Sequence, residues 1–118
     1  MMLKIHMFSE ALKQNPNPVI LTDTKGTIEY VNPAFEQLTG YGSEEALGKN
    51  PMKLLHSKEN ESVFNEIYAC ISSGMPWKGE FHNRKKSGEE YWASVQIGAI
   101  KDAEGRILSS VAVEQDIT

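Results

Sequence analysis

The sequence has few of the residues that would cross-link or anchor a chain. Cys70 is the one cysteine among 118 residues, so no disulfide can form within the chain, and a reducing compartment is expected. No stretch approaches the ~20 consecutive apolar residues of a membrane-spanning helix. Residues 1–7 lack the apolar run of a secretion signal. These absences predict a soluble, cytoplasmic domain.

Positive charge is also scarce. Lys and Arg number 12 against 16 Asp and Glu, which gives a formal net charge of −4. Nucleic-acid binding draws on clustered cations. The one basic run, Arg84 to Lys86, precedes Ser87-Gly88 and is typical of an exposed hairpin tip. Nucleic acid is therefore not expected as a partner.

Catalytic and metal-binding motifs are missing as well. The chain contains no phosphate-binding Gly-Lys-Ser/Thr loop, no Gly-x-Ser-x-Gly elbow, no His-Glu-x-x-His helix and no Cys-x-x-Cys pair. A zinc site needs four converging ligands, whereas His6, His56 and His82 fall on a helix, a helix junction and a strand. We expect no catalytic residues and no metal site, which favours a binding module over an enzyme.

Residues 23–52 organise the rest of the chain. Asp23 to Gly26 predicts a tight turn, and residues 27–31 predict the strand that follows it. Asn32 is a good helix N-cap, and Gly40 is the expected left-handed stop. Further short helices are predicted to start at Ser43 and at Asn50-Pro51. Helices under roughly 12 residues are marginal in water, so this block needs a sheet to lie on.

The flanking segments complete an α+β pattern. An amphipathic helix is predicted up to about Gln14, and a long helix from Lys58 to Ser73. The predicted strands are 19–22, 27–31, 77–85, 90–100 and 107–115. Hairpin-length links make neighbouring strands antiparallel, with the helices gathered on one face of a five-stranded sheet. The other face then needs a cover, either the N-terminal helix or a second copy of the chain.

The sequence resembles the PAS domain family of sensory modules. The similarity spans roughly Phe8 to Thr118, and the joint order and spacing of its motifs make it specific. The motifs are Asn17 to Asp23, Gly26 to Phe35, Thr39-Gly-Tyr41, Glu45 with Leu47-Gly-Lys49, Trp77 to Glu80, Asn83 to Gly88 and Asp116-Ile-Thr118. We divide the chain into an N-terminal amphipathic helix and linker, 1–16, and a PAS domain, 17–118.

The resemblance implies a fold and a role in signalling. It implies the strand order 2-1-5-4-3 and a cleft between sheet and helices that can hold a cofactor or small molecule. It also implies that Asp116, Ile117 and Thr118 join the last strand to a helix leading into an output domain. A sensor histidine kinase is the expected parent protein, and a cyclic-di-GMP enzyme is the alternative.

The resemblance also suggests candidate cofactor residues. Asn83 matches an amide of flavin-binding relatives, and an amide offers the donor and acceptor that a heterocycle edge needs. Two further positions depart from that pattern, because they hold Ala93 and Glu114. Non-covalent flavin is thus one candidate for a cofactor whose identity stays unknown. The expected cofactor-binding residues are Trp77, Phe81, Asn83, Ala93, Val95 and Glu114.

Two other cofactor types are disfavoured. Haem-binding relatives use a histidine of the long helix, and 58–73 contains none. Relatives that form a light-driven flavin–thiol bond place a cysteine where this chain has residues 50–55. Cys70 lies on the apolar stripe of the long helix and is expected to be a core residue. Glu114 is expected at a solvent edge, because acidic side chains are rarely buried.

Two functional hypotheses follow. The first is a non-catalytic sensory domain that binds a small ligand and dimerises. The second is a purely structural dimer module with a filled core, whose contact would use Met7, Phe8 and Leu12. The residues name neither the ligand nor the stimulus nor the output domain.

Overall fold

The computed structural model describes residues 10–59 and 61–118. Five strands are present: β1 (Val19–Thr22), β2 (Ile28–Val31), β3 (Trp77–Arg84), β4 (Glu90–Lys101) and β5 (Ile107–Asp116). The helices are α1 (residues 10–14), α2 (Pro33–Thr39), α3 (Ser43–Ala46), α4 (Pro51–Leu54) and α5 (Glu61–Ser72). The helix predicted at the N-terminus thus ends at Gln14, as expected.

The strands form one antiparallel sheet in the order β2-β1-β5-β4-β3. The first strand pairs with β2 along a hairpin and with β5 along its other edge, where Val19 lies opposite Val113. β4 is the longest strand and pairs with both β3 and β5. This arrangement confirms the predicted fold class and strand order.

The helices bury the inner face of this sheet. Two groups of buried apolar side chains result. One contains Ile67 of α5 over β3 and β4, and the other contains Phe35 of α2, Ala46 of α3 and Leu55 over β1 and β2. Ala112 of β5 contacts both groups. Because the short helices bury their apolar sides on the sheet, tertiary packing supplies the stability that they lack in isolation.

Asn32 explains how the chain turns from strand to helix. Its side-chain oxygen accepts the backbone N–H of Val19 at 2.8 Å and that of Phe35 at 3.1 Å. Its amide group donates to the carbonyls of Leu12 and Asn17, both at 3.0 Å. The predicted N-cap is therefore present, and the same side chain also attaches the segment before β1 to the domain.

α3 begins at Ser43, as predicted, and the N–H of Gly42 before it donates to the Glu45 carboxylate at 3.1 Å. One helix start differs from the sequence prediction. The long helix starts at Glu61, not at Lys58. The reason is that residues 58–59 bond to β3: the Lys58 N–H donates to the His82 carbonyl, and the Glu59 carboxylate accepts the His82 N–H at 2.7 Å.

Within the described ranges, no helix is both long and apolar enough to cross a membrane.

Candidate functional site

A cavity of about 530 Å³ lies between the helices and the inner face of the sheet. Its apolar wall is formed by side chains of α4, α5, β4 and β5. These are Met52, Phe64, Ile67, Ile71, Ile97 and Ala112. The turn between β1 and β2, residues 23–26, forms another side of the cavity. A volume of this size falls within the usual range for small-molecule pockets, roughly 300–1,000 Å³.

The rim of the cavity is polar and partly solvent-exposed. Lys25 of the β1–β2 turn, Lys53 of α4 and His56 after α4 are all exposed there. His56 has a backbone φ of 49°, which is the left-handed region that few non-glycine residues adopt. Across the rim, the Tyr68 hydroxyl of α5 donates to the Thr24 carbonyl at 3.0 Å. This hydrogen bond joins two sides of the cavity.

The residues predicted to bind a cofactor lie beside this cavity and do not line it. Trp77, Phe81, Asn83, Ala93, Val95 and Glu114 are all buried on the inner faces of β3, β4 and β5. The structure therefore brings the six together, but in a closed part of the core. Their role toward a cofactor stays a prediction.

Aromatic side chains fill the inner face of β3. The Trp77 and Phe81 rings stack with centroids 5.4 Å apart. The Trp77 ring lies over Gly79 so closely that a Cβ on Gly79 would stand 2.4 Å from it. The indole N–H donates to the Glu66 carboxylate of α5 at 3.2 Å. These contacts hold Trp77 over the strand, in space that a ligand would otherwise use.

A chain of buried polar groups crosses the sheet next to these rings. The Ser57 hydroxyl, at the cavity, donates to the Asn83 side-chain oxygen at 2.5 Å. Asn83 lies opposite Tyr91 in the β3–β4 register, and both side chains are buried. The Tyr91 hydroxyl donates to the Glu114 carboxylate at 3.3 Å. The chain runs from the cavity wall to β5, two residues before Asp116.

Glu114 corrects one expectation. The prediction of a solvent-edge carboxylate was wrong, because Glu114 is only 4% exposed. It pairs with Val95 in the β4–β5 register and so shares the inner face with the core. Burial raises the pKa of Glu114 to about 7, and the Tyr91 hydrogen bond opposes part of that rise. Burial, together with the nearby Glu114 charge, also raises the Tyr91 pKa.

This face does not fit a flavin as it stands. The Asn83 oxygen that would meet a heterocycle edge already accepts the Ser57 hydroxyl. The stacked rings of Trp77 and Phe81 occupy the adjoining strand face. The side chains around Asn83 therefore do not fit a flavin at this position.

The predicted signal-relay residues are held against β4. The Ile117 N–H donates to the Trp92 carbonyl, and the Trp92 N–H donates to the Thr118 hydroxyl, both at 2.9 Å. The Thr118 N–H donates to the Asp116 carboxylate at 2.9 Å and holds the pKa of Asp116 below its usual value. Their geometry thus sets the direction in which the chain leaves β5. Their part in signalling stays a prediction.

The predicted dimer contact falls mostly outside the described residues. Met7 and Phe8 lie in residues 1–9, which the structure does not describe. Leu12 is partly buried on α1, and its carbonyl accepts the Asn32 amide. The contact stays a prediction.

Two of the three histidines lie within the described residues. His6 lies outside the described residues, whereas His82 stacks on Trp92 and contacts Glu90 at 3.2 Å. In the described part of the chain, no three His, Cys, Asp or Glu side chains are grouped as metal ligands would be.

Sequence reasoning missed most of the residues that line the cavity. Lys25, Lys53, Met52 and Tyr68 were not singled out. A usable signal was present in α5, where Phe64, Ile67, Tyr68 and Ile71 follow the spacing of one helix face. Which strands that face would meet depends on the sheet order and could not be read from α5 itself.

A five-stranded antiparallel sheet in the order β2-β1-β5-β4-β3, with helices closing a cavity on one face, is the architecture of the PAS fold. The family description that matches this chain is "PAS domain", over residues 16–118. The chain belongs to the PAS domain family.

Its curated relatives are longer signalling proteins. The nitrogen fixation regulatory protein of Klebsiella oxytoca is 28% identical over 112 residues, which are 95% of this chain and 23% of that protein. The blue-light-activated histidine kinase of Brucella abortus is 30% identical over 114 residues, 94% of this chain and 23% of the kinase. The chain thus spans about a quarter of the length of these relatives.

Solved structures show the same fold. The PAS domain of a protein from Colwellia psychrerythraea superposes with a TM-score of 0.85 at 24% identity and covers 98% of each chain. The LOV domain of a blue-light-activated histidine kinase from Erythrobacter litoralis gives a TM-score of 0.77 at 23% identity, over 88% of this chain and 98% of that one.

Proposed function

We propose that this sensory PAS domain detects a small molecule bound in the cavity between α5 and the sheet. It acts as the non-catalytic, cytoplasmic input domain of a sensor histidine kinase whose kinase domain lies in the same chain. The cavity carries this proposal, because it combines an apolar wall, a polar rim and a volume of about 530 Å³. The similarity to a blue-light-activated histidine kinase supports the kinase assignment.

The signal passes as a shift between two arrangements of the domain. A ligand that prefers one position of α5 and the Ser57 segment favours that arrangement. Ser57 contacts the polar chain through Asn83, Tyr91 and Glu114, and Glu114 lies on the strand that ends at Asp116. Few residues therefore separate the ligand cavity from Asp116, the last residue of β5.

Flavin is one candidate ligand, because LOV domains share the fold and a blue-light-activated histidine kinase is a relative. The filled arrangement around Asn83 supports the cavity, and not the β3 face, as the ligand site. Haem is disfavoured because residues 58–73 contain no histidine, and a flavin–thiol bond is disfavoured because residues 50–55 contain no cysteine.

Native mass spectrometry of protein purified without added ligand tests the proposal. We expect a retained small molecule, or a stabilising compound when the protein is screened by thermal unfolding. Near-ultraviolet and visible absorbance of the same sample detects flavin or haem. Protein that is folded, that retains nothing and that no compound stabilises would overturn ligand sensing.

A structural dimer module is the second candidate function. The observation that favours it is the filled face of β3, where Trp77 and Phe81 leave no space beside Gly79. Dimerisation through the N-terminal helix fits either function. A kinase or cyclic-di-GMP output domain would then respond to dimer geometry alone.

A further inference from the structure

This inference rests on the proposed ligand site and concerns the chemistry of its ligand. The cavity interior is mostly apolar, and three of its hydroxyl groups already have hydrogen-bond partners. At the sheet floor, the Thr22 and Ser110 hydroxyls bond each other at 2.5 Å, and the Ser57 hydroxyl is taken by Asn83. In the described chain, the buried side-chain polar atoms without partners are on Tyr30 and Glu59, and neither lines the cavity.

An interior of this kind selects a hydrocarbon over a heterocycle. Burying a polar group without a hydrogen bond is unfavourable. A heterocycle would bring ring nitrogens and carbonyls against Phe64, Ile67 and Ile71, whose side chains offer no hydrogen bond. An alkyl chain brings no polar atom into this space. The part of the ligand that enters the cavity is therefore apolar.

The rim has the opposite character. Lys25 and Lys53 lie on two of its sides, and both are exposed. The ion pairs found among the described residues use other cations. Asp23 is the one acid among the described lining residues, and its Oδ1 accepts the N–H groups of Lys25 and Thr27 at 2.8 and 2.9 Å. The Thr27 N–H holds the pKa of Asp23 below its usual value.

The rim is thus locally positive in a chain whose net charge is −4. We propose that the cavity binds an amphipathic carboxylate of medium chain length, with its alkyl chain among Phe64, Ile67 and Ile71 and its carboxylate between Lys25 and Lys53. The bond from Tyr68 to Thr24 lies across the same opening. A bound head group therefore lies next to the contact that joins α5 to the β1–β2 turn.

Titration calorimetry with decanoate, decan-1-ol and decylamine, each below its aggregation threshold, tests the charge preference. Each surface ion pair contributes only modestly to binding, so the two lysines together should favour decanoate over decan-1-ol by about tenfold. Lys25→Met together with Lys53→Met should remove that preference and leave the affinity for decan-1-ol unchanged. Both lysines are exposed, so the double variant should fold. Lys78→Met, on the outer face of β3, is the matched control.

Methyl NMR of carbon-13-labelled methionine locates the binding. Met52 lines the cavity, whereas Met75 is 59% exposed and lies outside it. We expect decanoate to shift the Met52 signal and to leave the Met75 signal in place. Binding that leaves the Met52 signal unmoved would overturn the site.

The outcomes separate this inference from the proposed function. Equal affinity for decanoate and decan-1-ol, or tighter binding of decylamine, would overturn the carboxylate and leave ligand sensing intact. A different molecule retained in native mass spectrometry, with no binding of decanoate, would do the same. No retained molecule and no binding of any compound would overturn both.

Discussion

Glu114 places an ionisable group in a sheet face that is otherwise mostly apolar, so the stability of the fold should depend on pH. Its pKa rises from an ordinary 4.5 to about 7 because the folded chain buries it. Between those pH values the folded state holds a proton that the unfolded state releases. Stability is therefore full below pH 4.5 and falls as the pH rises through 7, by roughly 3 kcal/mol.

Glu114→Gln should remove this dependence, because the amide keeps a similar shape and cannot ionise. The free energy of unfolding in urea, measured from pH 5 to pH 8, should fall less steeply in the variant than in the parent protein. Glu29→Gln, an exposed glutamate of β2, is the control and should leave the slope unchanged. An identical pH slope in Glu114→Gln and the parent would show that Glu114 ionises normally.

Asn32 is the other buried polar residue with a large expected effect. It is fully buried, and its side chain bonds β1, α2 and the segment before β1. Asn32→Ala removes the side-chain partner of the buried Val19 N–H and uncaps α2, so we expect a loss of about 2–4 kcal/mol. Chemical denaturation measures this loss in the free energy of unfolding. Asn65→Ala on the exposed side of α5 should change stability by at most about 0.5 kcal/mol, and a similarly small effect at Asn32 would contradict this account.

At the scale of the element, β3 depends on a glycine for its aromatic pair. A methyl group at Gly79 would meet the Trp77 ring at 2.4 Å, so the indole would have to leave Phe81 and Glu66. Gly79→Ala should cost about 1–3 kcal/mol and weaken the near-ultraviolet circular dichroism of the tryptophan. The matched control is Gly98→Ala in β4, where a Cβ meets no atom within 4 Å. Equal spectra and stabilities for the two variants would refute this role of Gly79.

Most helix boundaries follow from residues next to them in the sequence. Asn32, Gly40 and Asn50 cap their helices as the sequence predicts, because capping depends on neighbouring residues. The start of α5 could not be predicted in the same way. The Lys58 N–H and the Glu59 carboxylate bond to His82 of β3, so the helix begins only at Glu61. This contact involves a partner far away in the sequence.

At the scale of the whole molecule, we propose that the N-terminal segment carries the dimer contact. Deleting residues 1–14 should convert a dimer into a monomer, since the proposed contact uses Met7, Phe8 and Leu12. Light scattering measures the mass. A shorter deletion of residues 1–9 keeps the Leu12 carbonyl that accepts from Asn32, so it tests the contact with less disturbance of the fold. A dimer that survives both deletions would place the interface on the sheet.

The sequence by itself determined the fold class and most element boundaries, and its resemblance to the PAS family implied the strand order. Turn, cap and alternation signals are local, and the family motifs occur in a specific order, so both can be read along the chain. Tertiary structure alone decided that Glu114 is buried, that Trp77 and Phe81 fill the face next to Asn83, and that the open cavity lies at α5 instead. Those outcomes depend on side-chain rotamers and on which strand faces which helix. They are set by contacts between residues far apart in the chain, which local patterns do not encode.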